Sequence, residues 1–131
     1  MSYLLDTSVC VAFLNELDAA LGEKLRSRGP EDVKLCSVVK AELVYGARNS
    51  ARVEENLSKL ALFFEPFESV PFDDAAAEHY GVLRVQLRRA GTPIGANDML
   101  IAAIGLARDL TVITRNQSEF RRVAGLRVEA W

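Results

Sequence analysis

The sequence predicts an α/β domain built on a central parallel sheet of about five strands with helices on both faces. Three observations lead there. Short apolar runs of strand length recur along the chain, and one or two helical segments separate each from the next. Strands joined by helices pair in parallel, because a parallel connection needs a long crossover. Thr111-Val112-Ile113-Thr114 is rich in β-branched residues and bounded by polar ones, the clearest strand of the set. No repeat, low-complexity tract or linker divides the 131 residues, which suits one domain spanning 1–131.

The elements follow in order. Tyr3-Leu4-Leu5 is a buried strand ending at Asp6. A helix over Val9–Leu14 follows, with Asp6, Thr7 or Ser8 able to cap it. Leu17–Arg28 has helical spacing and stops at Gly29-Pro30. Val33–Cys36 is a second strand, and Ser37 is expected to cap a helix reaching about Ala47. Arg52–Phe64 forms a further helix closed by Pro66, and Phe67–Val70 a short third strand. Asp73 caps a long helix to about Ala90, ended by Gly91 and Pro93. Asn97–Arg108 is nearly all apolar and must be buried. After the Thr111–Thr114 strand, Leu126-Arg127-Val128 makes a last edge strand.

Composition narrows the chemistry. Half the residues are hydrophobic and 26% are charged, enough apolar material for a core without staples. Cys10 and Cys36 lie in apolar stretches outside any CxxC pair and read as small buried hydrophobes. His79 is the single histidine, so neither a zinc site nor Ser-His-Asp catalysis has its residues. No apolar run is long enough to span a bilayer, and the N-terminus lacks the pattern of a secretory signal, so a cytoplasmic location is expected. The net charge of −2 weighs mildly against a nucleic-acid partner, although a local basic face is all such an enzyme needs.

Acidic residues are the candidates for chemistry. In an open parallel sheet, ligands bind at the carboxyl ends of the strands. Asp6 stands at such an end. Glu42 shares the i, i+3, i+4, i+7 stripe of Val38, Ala41 and Tyr45, read here as core-facing, where a carboxylate is costly unless a cation or donors meet it. Asp98 opens the most apolar helix, beside Gly95-Ala96, which leaves the approach open to a ligand. Asn116 and Glu119 follow the clearest strand. Caps and solvated edges would explain each residue singly. Together, three or four oxygen ligands gathered by one sheet suit Mg²⁺, with Mn²⁺ the alternative, and phosphodiester hydrolysis is the matching reaction.

Four blocks carry a family resemblance: Leu4-Leu5-Asp6-Thr7-Ser8; Lys40-Ala41-Glu42-Leu43-Val44-Tyr45-Gly46; Ile94-Gly95-Ala96-Asn97-Asp98-Met99-Leu100-Ile101-Ala102; and Val112-Ile113-Thr114-Arg115-Asn116 with Glu119-Phe120. In this order the chain resembles PIN-domain nucleases, VapC-type toxins of toxin–antitoxin pairs in particular, and the ending Phe120–Trp131 is similar too. The resemblance implies a Rossmann-like PIN domain that binds no dinucleotide. It implies Asp6 and Asp98 as the principal metal-holding carboxylates, with Glu42 joining directly or through water. The fourth acidic position would fall on Glu119, or on Asn116, where many relatives carry aspartate. Thr7 or Ser8 and Thr114 would orient ligands or the attacking water, with Asn97 beside Asp98 in support. The implied activity is endonucleolytic cleavage of RNA, often tRNA or rRNA. The implied partners are a VapB-like antitoxin and a second copy in a homodimer.

For RNA contact, Arg84 and Arg88 lie one turn apart with Arg89 beside them, and Arg115, Arg121 and Arg122 flank the expected site. Arginine forks suit phosphate. No aromatic platform for base stacking is evident. Other functions on such a sheet lack their residues. An aspartyl phosphatase wants a second aspartate where Ser8 stands, a receiver domain wants a lysine near Thr114-Arg115, and a dinucleotide site wants glycines after the first strand. A catalytically inactive interaction module remains the alternative, with Leu57, Leu60, Phe63 and Phe64 lining a docking groove.

Overall fold

The computed structural model describes residues 1–15 and 19–131. Five strands form one sheet in the order β3-β2-β1-β4-β5, and every pair is parallel. They are β1 (Tyr3–Leu5), β2 (Val33–Cys36), β3 (Glu68–Val70), β4 (Thr111–Ile113) and β5 (Val128–Glu129). The helices between them are α1 (Thr7–Leu14), α2 (Ala19–Arg28), α3 (Ser37–Arg48), α4 (Val53–Phe64), α5 (Asp74–Ala90), α6 (Ala96–Ala107) and α7 (Gln117–Phe120). The predicted helix beginning at Leu17 is found from Ala19; Leu17 and Asp18 lie outside the described residues.

From β1 the chain steps outward to β2 and β3, then returns to the other side of β1 for β4 and β5. Right-handed crossovers then place α1–α4 on one face and α5–α7 on the other. The central strands are therefore covered twice. Leu4, Leu5, Val33, Leu35, Val112 and Ile113 are all buried, as parallel strands require. The stretch Ile101–Gly105 of α6 is buried as well. Among the described residues, no helix is long and apolar enough to cross a membrane.

Several local expectations change. Asp6 itself caps α1, which begins at Thr7. Ser37 is the first residue of α3; the cap position belongs to Cys36, whose side chain makes no capping bond, because β2 runs straight into the helix. Asp73 caps α5 as expected, accepting from the Ala76 N–H, and Gly91 ends the helix at φ +70°, a left-handed position that glycine tolerates. The last strand is Val128–Glu129, starting two residues later and ending one later than expected.

Two face assignments are corrected. α3 buries Val39, Leu43 and Ala47, while Ala41 and Tyr45 of the predicted core stripe are exposed. The Leu57/Leu60/Phe63/Phe64 stripe of α4 faces the core more than it faces a partner. Leu60 and Phe63 are core residues, Leu57 and Phe64 pack against that core, and Phe63 meets the rings of Phe13, Phe64 and Phe67. Cys10 and Cys36 are buried thiols, as expected. Burial pushes Cys36 up to about 11, which leaves it protonated and inert. His79 lies exposed on α5.

Candidate active site

The strand order reverses between β1 and β4, and the crevice at their carboxyl ends is where such sheets bind ligands. Asp6 follows β1 at this point and is only 3% exposed. Its backbone N–H donates to the Ile113 carbonyl of β4 at 3.0 Å. Among the described residues, three donors reach its carboxylate. The Val9 N–H reaches Oδ1 at 3.0 Å, the Ser8 hydroxyl reaches the same oxygen at 2.6 Å, and the buried Thr114 hydroxyl donates to Oδ2.

Those two hydroxyls also tie Asp6 to the loop after β4. Ser8 Oγ accepts from the Arg115 N–H at 3.1 Å, and Thr114 Oγ1 accepts from the Asn116 N–H at 2.8 Å. Burial raises the Asp6 carboxyl above its usual range, against the pull of these donors, and the Glu42 charge adds to the rise. The sequence therefore holds an acid at the switch point with its lone pairs aimed by short polar side chains.

Glu42 projects from α3 into the same region and is half-buried. Thr7 Oγ1 donates to its Oε1 at 2.6 Å. Asp98, in the first turn of α6, is also half-buried; Gly95, Ala96 and Asn97 before it are exposed, so the start of this helix opens to solvent rather than being covered like its middle. Asp98 shares a hydrogen bond with Glu119, and a hydrogen bond between two carboxyls needs a proton on one of them. Burial first, then Glu119, then the charges of Asp6 and Glu42, push Asp98 up to about 7.

The choice between Asn116 and Glu119 takes a definite form. Asn116 precedes the four-residue α7 and its amide donates to Glu119 Oε2, while the Gly95 N–H donates to Oε1. Glu119 is the group that meets Asp98, and Asn116 positions it. Phe120, fully buried, pins the short helix that carries Glu119. Gly95 was singled out for openness, and its role is more specific. A Cβ there would stand 3.2 Å from Asp98 Oδ2 and 3.5 Å from Glu119 Oε1, so the missing side chain lets the two carboxyls approach.

Asp6, Glu42, Asp98 and Glu119 thus converge from four separate segments closely enough to perturb one another. Among the described residues, no three of these acids already stand as a ready-made chelate. The donor set is nevertheless oxygen alone, and its crowding of negative charge fits a hard divalent cation such as Mg²⁺ or Mn²⁺.

The arginines divide. Arg115 follows β4 directly, and its backbone is bonded to Ser8 beside Asp6. Arg84 is turned along its own helix, with Nη1 donating to the Tyr80 hydroxyl at 2.7 Å and its guanidinium 5.8 Å from that ring. No hydrogen bond or ion pair among the described residues ties Arg84 or Arg88 to the acids, although Arg88 lies in the last turn of α5, just before the loop to Asp98. Arg122 donates to the Pro93 carbonyl of that loop at 2.9 Å. Asn97 faces a cleft shared with Thr7, Glu42, Tyr45 and Leu100. The cleft wall on α3 is the 38/41/42/45 stripe. Its spacing was visible in the sequence, but its direction was not.

Comparison with known proteins agrees with this architecture. Residues 3–126 match the model of the PIN domain family. The chain is 37% identical to the tRNA(fMet)-specific endonuclease VapC of Shigella flexneri, covering all of this chain and 98% of that one. It is 36% identical to ribonuclease VapC2 of Rickettsia felis, with the same coverage. Among solved structures, VapBC2 of Rickettsia felis bound to a fragment of promoter DNA superposes with a TM-score of 0.94 at 35% identity, over 100% of this chain and 99% of that one. DNA-bound VapBC of Salmonella typhimurium gives 0.95 at 34% identity, over 100% and 98%.

Proposed function

Because the chain belongs to the PIN domain family, among the VapC ribonucleases of toxin–antitoxin systems, we propose that it is a Mg²⁺-dependent endoribonuclease acting through Asp6, Glu42, Asp98 and Glu119. One observation carries the reading at the level of chemistry. Four carboxyls from distant segments are crowded at the switch point of the sheet, at a cost visible in Asp98 being pushed up to about 7. A fold tolerates such crowding where a cation offsets it. A catalytically inactive interaction module would gain nothing from it.

Asp6 and Asp98 would hold the ion, with Glu42 directly or through water. A bound Mg²⁺ supplies Lewis-acid polarisation of a phosphoryl oxygen and a more acidic water. The chain's own residues do the orienting. Ser8, Thr114 and the Val9 N–H fix both oxygens of Asp6, and Thr7 fixes Glu42. The Gly95 N–H and the Asn116 amide aim Glu119 at Asp98. Arg115, whose backbone N–H is bonded to Ser8 beside Asp6, would meet the substrate phosphate, while Arg84 is turned back along its own helix to Tyr80.

The substrate we propose is a structured RNA, a tRNA or an rRNA. The names of relatives that specify tRNA(fMet) favour a tRNA. A VapB-like antitoxin would neutralise the enzyme in the cytoplasm, in keeping with the VapBC assemblies it superposes on. A homodimer would cover Val82 and Val85, which are 60% and 44% exposed on α5.

The test is RNA cleavage with Mg²⁺, with EDTA, and by Asp6→Asn and Asp98→Asn. The expected outcome is Mg²⁺-dependent cleavage that both variants lose while keeping a cooperative thermal transition. Undiminished cleavage by either variant, or cleavage indifferent to EDTA, would refute the reading.

A further inference from the structure

We propose that Tyr45 is the platform on which the nucleobase beside the scissile phosphodiester stacks; this rests on the nuclease reading above. The inference begins with α3, which has two usable faces. Val39, Leu43 and Ala47 enter the core, while the exposed Ala41 and Tyr45 line a cleft together with the half-buried Val38 and Glu42. Tyr45 is 70% exposed, and it is the one aromatic residue among the large hydrophobics that the described residues leave exposed. The other phenylalanine and tyrosine rings pack in clusters or against the core. Among the described residues, no ring or cation stacks on Tyr45. This large flat side chain lies in water one helical turn from Glu42, open to a ligand.

The cleft explains what would cover it. It encloses about 660 Å³, within the range of ligand clefts, and it ends at the acid site, because Thr7, Glu42 and Asn97 belong to both. Val38, Ala41 and Leu100 give it an apolar surface, and Ser37, Thr7 and Asn97 offer hydroxyls and an amide. Among the described residues, none that lines it is basic, so it is unsuited to a phosphate. A nucleobase matches this composition: two apolar faces to stack, and a polar edge to meet an amide or hydroxyl. The phosphate would then lie outside this cleft, toward the acids and the loop after β4. The substrate class narrows accordingly. A base can enter only if it is unstacked from its neighbours, so cleavage should fall in a loop or single-stranded segment.

The experiment uses an oligoribonucleotide spanning the wild-type cleavage site, cut with Mg²⁺ under single turnover across enzyme concentrations. Tyr45→Ala should raise the half-saturating concentration roughly 5- to 150-fold, the range of base–aromatic stacking, with the saturated rate little changed. Tyr45→Phe and Tyr45→Trp should stay near wild type. An abasic nucleotide beside the cut should cost the wild-type enzyme a similar factor and add little to the loss in Tyr45→Ala.

Unchanged saturation in Tyr45→Ala, or fully additive losses with the abasic RNA, would overturn the proposal while leaving the nuclease reading intact. Light scattering that shows Tyr45→Ala converting a dimer to monomers would overturn it too, by assigning the ring to a contact between copies. If the wild-type protein cuts no RNA with Mg²⁺, both readings fall together.

Discussion

Replacing Thr114 with valine removes one hydroxyl from the middle of the site and changes almost nothing else. Thr114 is fully buried, and valine has nearly its shape, so no cavity opens. Its hydroxyl donates to Asp6 Oδ2 and accepts the Asn116 N–H. In the variant Asp6 keeps the Ser8 hydroxyl and the Val9 N–H, both on Oδ1, while Oδ2 loses its donor inside the protein. A hydrogen bond to a charged group contributes about 1.5 to 3 kcal/mol, and a buried acceptor left without one sits toward the upper part of that range. The expected loss is about 2 to 3 kcal/mol, or about 7 to 11 °C in melting temperature for a domain of this length. Removing the donor behind a metal-holding carboxylate also lowers metal affinity or activity by about 10- to 100-fold. Differential scanning calorimetry in EDTA reads the first effect, and RNA cleavage across Mg²⁺ concentrations reads the second. Thr114→Ser, which keeps the donor, should recover most of both. A variant that melts within about 2 °C of wild type and cleaves equally well would refute the view that Thr114 holds Asp6 in place.

Two further outcomes follow from the same geometry. Gly95→Ala puts a methyl 3.2 Å from Asp98 Oδ2, so that carboxyl must shift by a few tenths of an ångström against Glu119. Cleavage should fall by about ten-fold, since misplacing catalytic groups by about 1 Å costs on the order of 100-fold, and circular dichroism should show the fold intact. The second concerns pH. Asp98 is held up at about 7 against an ordinary 3.8, so the native state keeps a proton that the unfolded chain has lost. Stability without metal should therefore decline as pH rises from about 4 to about 7 and level off above about 8. Mg²⁺ bound at Asp98 would compete with that proton, so on the proposed reading it should raise the melting temperature more at pH 8 than at pH 5.5. Equal Mg²⁺ shifts at both pH values would count against a metal at Asp98.

The sheet and the principal acid were legible because each rests on a short local signal. Tyr3-Leu4-Leu5 and Thr111-Val112-Ile113 are short runs ended by polar residues, of strand length and rich in strand-forming types, and the switch-point rule puts the residues after them in the crevice. The direction of an amphipathic helix was harder. α3 carries two stripes of similar hydrophobicity, 38/41/45 and 39/43/47, and only tertiary packing decides which one enters the core. The stripe with Glu42 and Tyr45 proved to be the cleft wall, which is why an aromatic platform went unnoticed. The α4 stripe erred the other way. Leu60 and Phe63 join the buried cluster and α4 packs on α3, and spacing alone could not separate core from groove. Asn116 and Glu119 could not be ranked from sequence because their relation is a hydrogen bond between side chains, with the asparagine acting as a donor to the acid. Gly95 shows the same limit, since its lack of a Cβ matters only beside two carboxyls brought in from different segments.

The most direct measurement is a crystal structure of the protein grown with excess Mg²⁺. The predicted result is an ion in the crevice between β1 and β4, bound by oxygens of Asp6 and Asp98 at roughly 2.0 to 2.1 Å, with Glu42 reached directly or through one water. A well-ordered site with no ion, and with Asp6, Glu42 and Asp98 turned toward separate partners, would contradict it.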